Sequence, residues 1–259
     1  MSSTSTIEPT RWGEREIRGP VHQFREDLLL RRFGPMFAQG RILDAGCGSG
    51  SLALALCQRG LRVEAVELSE PFTRLLQKKI GAAGLSRRLS IARASVMRLP
   101  FGDGEFDGLV CGEVLEHLDP KWGGDRAAVA EFFRVLKPGS PCVISVPLNQ
   151  GQWDHSDQWA GHVKRYDRRE LIQLFEDAGF AVEDVRVWGF PLGRLYHRFL
   201  FAPWLRRSGG PRKREKEGLG ARAAGNNLAT KAVATALRFD ELFDRFPWGR
   251  GAVLAARRP

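Results

Sequence analysis

The chain has 259 residues, of which 43% are hydrophobic, enough to bury the core of one large α/β domain and too apolar for a globally disordered chain. It holds no run of about 18 apolar residues, and its opening MSSTST lacks the charged-then-apolar layout of a secretion signal. A membrane span is therefore excluded and the cytoplasm is the expected compartment. The net charge of +10 sits at one end: residues 1–189 carry 25 basic and 25 acidic side chains, whereas residues 190–259 carry 15 and 5.

In chain order, residues 1–10 read as a polar tail, and 21–38 place apolar side chains at roughly helical spacing. From residue 41 strands and helices alternate. RILDAG, RVEAVEL, LSIARAS, FDGLVCGEV and PCVISVP are predicted strands. Between them, SLALALCQRG is a predicted helix closed by Gly60. EPFTRLLQKKIGAAG is another, with Ser69 as its N-cap and Pro71 in its first turn, and RAAVAEFFRVLKPG ends on a Pro-Gly stop. RRELIQLFEDAGF then gives a helix with Asp167 as N-cap and Glu170 completing a capping box. AVEDVRVWGF and GAVLAARR give two more strands. The alternation predicts an α/β fold, a doubly wound, mostly parallel seven-stranded sheet of Rossmann-like type with helices on both faces. Residues 1–39 form an N-terminal helical arm, and 40–259 one domain with insertions at 149–166 and 191–249. Cys47, Cys57, Cys111 and Cys142 are widely spaced, show no CxxC, and read as buried reduced thiols.

The first strand runs into Asp44-Ala45-Gly46-Cys47-Gly48-Ser49-Gly50. In an open α/β sheet such a loop lies at the ligand-binding end of the strands. A phosphate loop needs GxxxxGK[ST], and no lysine follows here. A dinucleotide fingerprint needs a third glycine where this chain has Ser51, and Asp44 opposes a pyrophosphate. S-adenosylmethionine has no phosphate and carries an ammonium and a sulfonium, which turns the acid from repulsive to attractive. Glu67, closing the second strand 21 residues after Gly46, suits a ribose diol. By itself it would equally suit a dinucleotide. Leu68 is placed to pack on a base.

LDAGCGSG, VEAVELS, RLPFGDGEFDGLVCGEVLEHL and FFRVLKPGSPCVISVP together resemble the class I S-adenosylmethionine-dependent methyltransferases. They are most similar to the methyltransferase type 11 branch that includes ubiquinone and menaquinone biosynthesis enzymes and many natural-product methyltransferases. The resemblance covers about residues 40–190. It implies an antiparallel last strand and S-adenosylmethionine as cofactor, held by Asp44, Ala45, Gly46, Cys47, Gly48, Gly50, Glu67, Leu68, Ser95, Val96, Cys111 and Gly112. The family usually offers an acid to the adenine amino group after the third strand. Here that place reads Ala94-Ser95-Val96, so a hydroxyl stands where the charge is expected.

Segment 149–166 packs His155, His162, Asp154, Asp157, two tryptophans and a tyrosine onto the cofactor rim. A similar GHVRRY-type element borders the acceptor pocket in this branch. His155 or His162 is the candidate base and Asp157 its orienter; the competing reading is that each histidine caps a helix or braces the loop. His155, Asp157 and His162 are all ligand types, but their spacing matches no zinc signature, so no metal is expected. Glu116-His117 reads as bracing a helix start, with catalysis as the rival. In the long insertion, Phe199, Leu200, Phe201 and Trp204 are expected to wall the acceptor pocket as a lid, and His197 has no evident partner. The basic 190–217 stretch carries two further readings, peripheral contact with an anionic membrane and, less favoured, nucleic-acid binding. Taken together these residues point to methyl transfer to a small apolar or aromatic molecule, preferentially at oxygen. The alternatives are a tRNA methyltransferase, a nicotinamide-dependent oxidoreductase and a non-catalytic cofactor-binding protein.

Overall fold

The computed structural model describes residues 19–37, 40–207 and 228–259. Its strands are β1 (Arg41–Ala45), β2 (Arg62–Glu67), β3 (Leu89–Arg93), β4 (Gly108–Gly112), β5 (Pro141–Pro147), β6 (Ala181–Trp188) and β7 (Gly251–Arg257). They pair in the order β3-β2-β1-β4-β5-β7-β6. Neighbours from β3 through β5 run parallel, and β7 is antiparallel to both β5 and β6. This is the expected doubly wound sheet with its last strand reversed.

Side chains alternate between two cores because successive residues of a strand point to opposite faces. Leu43 and Ala45 enter one core and Ile42 the other; Ala252, Leu254 and Ala256 of β7 face the first, Val253 and Ala255 the second. A strand covered on both sides reads as an unbroken apolar run, which is why AVLAA needs no polar face. The first core is roofed by α4 (Gly124–Val135) and α6 (Arg168–Asp177) through Phe132, Leu171 and Phe175. Truncating Phe132, which is fully buried, to Ala would cost about 3–5 kcal/mol. Asp167 does begin α6, with its backbone N–H donating to Glu170 at 3.4 Å.

The second core is filled by α2 (Ser51–Gln58), α3 (Glu70–Ala82) and α1 (Pro20–Leu28). Residues 20–36 are helical, but they do not stand apart as an arm. Phe24, Leu28, Leu29 and Phe33 are buried in the sheet's core because their spacing gives the helix one continuous apolar stripe. Arg31 binds Glu241 at 2.7 Å and Arg32 binds Asp244, tying the π-turn over 29–33 that continues α1 to the long insertion.

The described residues of both insertions fold. Segment 149–166 leaves and returns at one place, since Asn149 N–H donates to Tyr166 O at 2.8 Å and Tyr166 N–H to Pro147 O at 3.0 Å. It contains the short helix α5 (His155–Ala160). The second insertion forms α7 (Leu192–Tyr196), a π-turn over 197–201, α8 (Ala202–Arg207), α9 (Leu228–Ala236) and a 3-10 segment over 237–243. The tail 1–10 and the basic run beyond Arg207 lie outside the described residues. Among the described residues, no helix is long and apolar enough to cross a membrane.

Candidate functional site

Strand order reverses between β1 and β4, and a cavity of about 760 Å3 opens there at the carboxyl ends of the strands. Its floor is the glycine loop. Gly46 and Cys47 donate their N–H groups to Val66 O at 2.8 and 2.9 Å, which pins the loop to the end of β2. Gly46 has φ +76°, and a Cβ there would come within 2.5 Å of Val114 Cγ2, so only glycine lets β1 and β4 end this close together. At Gly48, φ +54°, a Cβ would meet no atom within 4 Å; the backbone lies open to a ligand.

Glu67 is locked from behind. Its Oε2 accepts from Gly48 N–H at 2.9 Å and its Oε1 from Ser69 N–H at 2.7 Å. Burial raises its pKa and these backbone donors pull against that rise. Each oxygen keeps a lone pair for a further donor, so a ligand diol in the cavity finds a pre-oriented bidentate acceptor. Across the cleft, Glu113 adopts φ +56°. Its Oε2 lies 3.3 Å from Arg25 Nη1, and its Oε1 is buried with no partner among the described residues. A diol acceptor on one wall and an unsatisfied carboxylate oxygen on the other fit a cationic nucleoside and repel a pyrophosphate, which is the acceptor set an S-adenosyl group requires.

Of the residues expected around the cofactor, Gly46, Cys47, Gly48, Glu67, Leu68, Ser95, Val96 and Gly112 line this cavity. Asp44, Ala45, Gly50 and Cys111 do not; they lie behind the wall. Asp44 is buried beneath the loop, and its Oδ2 has no hydrogen-bond partner among the described residues. Burial, then the nearby Glu26 and Glu67 charges, push its pKa up to about 8, against the Ala53 backbone N–H. Ser95 points its Oγ to Met97 N–H at 3.2 Å. The roof was not foreseen. Pro20, Val21, His22, Phe24 and Arg25 of α1 line the cavity, and Glu26 accepts a short hydrogen bond from Ser51, which opens α2 just after the glycine loop. The helical spacing of 21–38 was visible, but nothing in it said which end of the sheet the helix covers.

The other end of the cavity is made by the insertions. Asp157 and His162 line it; His155 does not. His155 starts α5 and is exposed, because Asp154 caps that helix and turns the residue after it outward. Asp154 Oδ1 accepts from Ser156 N–H at 2.7 Å, and Asp157 Oδ2 reaches back to Asp154 N–H at 2.9 Å. The other oxygen of Asp157 binds His162 Nδ1 at 2.8 Å and Arg165 Nε at 2.8 Å. Burial opposes ionisation of Asp157, but these partners hold its pKa below the usual range.

His117 also lines the cavity. Its Nδ1 lies 3.2 Å from Gly161 O, and its ring meets that of His162 edge-on at 4.9 Å. Of the two candidate bases, His162 lies against Asp157 and His155 does not, and the structure also brings Glu116 and His117 beside His162. His197 does have a partner, Asp154 Oδ2 at 2.6 Å, which joins the two insertions across the cavity mouth. Trp159, Trp188, Tyr196, Phe201 and Trp204 supply an apolar wall. Phe199 and Leu200, expected in that wall, are 63% and 59% exposed and face away, because the π-turn over 197–201 rotates them outward. The Arg250 guanidinium also borders the cavity with no ion pair or side-chain hydrogen bond among the described residues, and burial lowers its pKa to about 10.

Comparison with known proteins agrees with this geometry. The family described as methyltransferase domain matches residues 43–144. The demethylmenaquinone methyltransferase of Lactiplantibacillus plantarum is 33% identical over 172 residues, covering 55% of this chain and 71% of that protein. The ubiquinone biosynthesis O-methyltransferase of Pseudomonas aeruginosa is 32% identical over 143 residues, covering 52% and 57%. The chain spans between half and two thirds of the first curated relatives it matches, 50% and 65% of their lengths. Among solved structures, the [4+2]-cyclase SpnF superposes with a TM-score of 0.63 at 22% identity, covering 92% of this chain and 82% of that one, which establishes a shared fold. By sequence, by sheet order and by the ligand-binding end of its strands, the chain belongs to the class I S-adenosylmethionine-dependent methyltransferase family.

Proposed function

We propose that the chain binds S-adenosylmethionine in this cavity and transfers its methyl group to a hydroxyl of a small apolar or aromatic molecule. The observation that carries the reading is the continuity of one cavity: Glu67 and the glycine loop line one end, and Trp159, Phe201, Trp204 and His162 line the other. A volume of about 760 Å3 falls in the range of roughly 300–1,000 Å3 usual for ligand sites.

Glu67 would hold the ribose hydroxyls, Leu68 the adenine face, Ser95 the adenine edge, and the open backbone at Gly48 the methionine end. When bound, the sulfonium supplies an activated methyl group, so the protein's task is alignment and exclusion of water. The aromatic wall and α1 do the excluding. His162, its Nδ1 held by Asp157 at 2.8 Å, presents Nε2 to the acceptor end and is the group that activates a hydroxyl there. The O-methyltransferase among the relatives favours oxygen as the target. The aromatic lining favours a planar or apolar acceptor. Membrane contact and nucleic-acid binding gain no support from the cavity and are not carried forward.

The test is a screen of phenols and hydroxyquinones with S-adenosylmethionine, read by release of S-adenosylhomocysteine. Turnover that the His162→Ala variant loses, while it still binds S-adenosylhomocysteine, is the expected result. Preferential binding of NADH by the wild-type protein would overturn the reading.

A further inference from the structure

The acceptor end of the cavity contains an arrangement that methyl transfer alone does not call for. Glu116 stands in the 3-10 turn over 115–117 after β4, fully buried, with neither carboxylate oxygen hydrogen-bonded among the described residues. An isolated buried carboxylate is among the costliest groups a fold can carry, and it is retained only where something of opposite charge meets it.

Two imidazole nitrogens face it. His117 Nε2 lies 3.9 Å and His162 Nε2 4.0 Å from Glu116 Oε1. The opposite nitrogen of each ring is committed. His117 Nδ1 is placed to donate to Gly161 O at 3.2 Å, and His162 Nδ1 to Asp157 Oδ1 at 2.8 Å. A ring whose Nδ1–H donates carries a lone pair at Nε2. Three potential ligand atoms, a Glu116 oxygen and one nitrogen of each ring, therefore converge within 4.8 Å of one another. Such a convergence is repulsive unless a cation completes it.

We propose that Glu116, His117 and His162 form a binding site for one divalent first-row transition-metal ion, open to the acceptor end of the cavity. The ligand chemistry is two imidazoles and a carboxylate, a set that suits zinc, manganese, iron or cobalt over magnesium or calcium. An ion bonded at about 2.0–2.2 Å to each ligand reaches all three from the observed separations with small rotations. Asp157 and Gly161 O are positioning groups, since an outer partner on the far nitrogen fixes ring orientation and tautomer. The loop geometry is held as well: Val163 N–H donates to Glu116 O at 2.8 Å, joining the insertion to the turn. Both histidines line the cavity, so the ion's remaining positions face an acceptor oxygen, whose hydroxyl it would acidify. This replaces the base role given to His162 Nε2 above, because a nitrogen bonded to an ion has no lone pair left for a proton, and it rests on that reading only for the identity of the bound acceptor.

The test uses the full chain stripped with EDTA and titrated with Co2+ and with Zn2+ alone. One ion per chain is expected, with a visible cobalt absorption band and a zinc-dependent rise in melting temperature. His117→Ala and His162→Ala should each weaken Zn2+ binding about 100-fold or more, and Asp157→Asn by about 10-fold. His155→Ala, outside the cluster, should leave it unchanged. Binding of S-adenosylhomocysteine, followed by calorimetry, reports whether each variant is folded. Absence of one-to-one Zn2+ and Co2+ binding in the wild type, or affinity unchanged in folded His117→Ala and His162→Ala variants, overturns the proposal. A protein that binds S-adenosylhomocysteine but takes up neither Zn2+ nor Co2+ sinks this inference alone; one that takes up the ion but does not bind S-adenosylhomocysteine sinks the cofactor reading alone.

Discussion

The two ends of the cavity are built by different means. The cofactor end is made mostly of backbone: glycines with positive φ, N–H groups aimed at Glu67, and a loop pinned to Val66 O. The acceptor end is made of side chains from two insertions, joined by the Asp154–His197 contact, with the first braced internally by Asp157, His162 and Arg165. Backbone geometry follows from the sheet and allows few substitutions, whereas side-chain walls can be rebuilt without disturbing the fold. One end can therefore keep one ligand while the other is respecified.

The contrast is broken most severely at Gly46. Gly46→Ala places a Cβ against Val114 and forces a left-handed backbone onto alanine, a strain of about 1–3 kcal/mol. Its affinity for S-adenosylhomocysteine should fall by about 100-fold, since the loop must shift, with a lower melting temperature in the same preparation. A normal affinity would show that the loop tolerates a side chain and does not set the cofactor end.

The acceptor end should separate cleanly from it. His162→Ala is expected to lower turnover by about 100-fold with S-adenosylhomocysteine affinity roughly unchanged, the loss general acid–base or metal assistance usually represents. His155→Ala, on the exposed start of α5, should retain both. Loss of turnover in His155→Ala alone would reverse the assignment.

Asp44 gives a pH-dependent effect on the cofactor end. Its pKa is about 8 in the fold, raised above the ordinary carboxylate value by burial and by Glu26 and Glu67. A raised folded pKa contributes stability that is complete below the unfolded value and is lost as pH rises through the folded one. Wild-type stability from this group therefore declines between about pH 4 and pH 8. Asp44→Asn removes the decline, so its melting-temperature advantage over wild type should grow across that window in the absence of ligand. An advantage that is constant with pH would mean that Asp44 ionises freely. The smallest effect is expected at Phe199, where Phe199→Ser should change stability by no more than about 0.5 kcal/mol and leave the apolar wall intact. A large loss would place Phe199 inside the lid.

The cofactor end was the more legible in the sequence, for the same reason. Glycines after an apolar run, an acid closing the next strand and strict strand–helix alternation are local patterns, and they located Gly46, Gly48 and Glu67 on one wall. Asp44 and Cys111 belong to the same motifs yet lie behind it, because a motif fixes sequence neighbours and not which face of the strand meets the ligand. The acceptor end depends on contacts between distant segments. Glu116-His117 and His162 are 45 residues apart in sequence and meet only because Val163 N–H docks on Glu116 O. Asp154 and His197 are likewise joined across two insertions. The helical spacing of 21–38 was legible, but its place as a roof depended on Glu26 reaching Ser51 and Arg25 reaching Glu113. The π-turn that separates Phe199 from Phe201 left no signal in an amphipathic count.

The most direct measurement is calorimetric titration of the wild-type protein and Glu67→Ala with S-adenosylhomocysteine and, in parallel, NADH. Binding of S-adenosylhomocysteine at one site, weakened about 100-fold by loss of the two charge-assisted contacts, with no heat from NADH, is the predicted outcome. Equal affinity in the Glu67→Ala variant, or heat from NADH alone, would contradict the account.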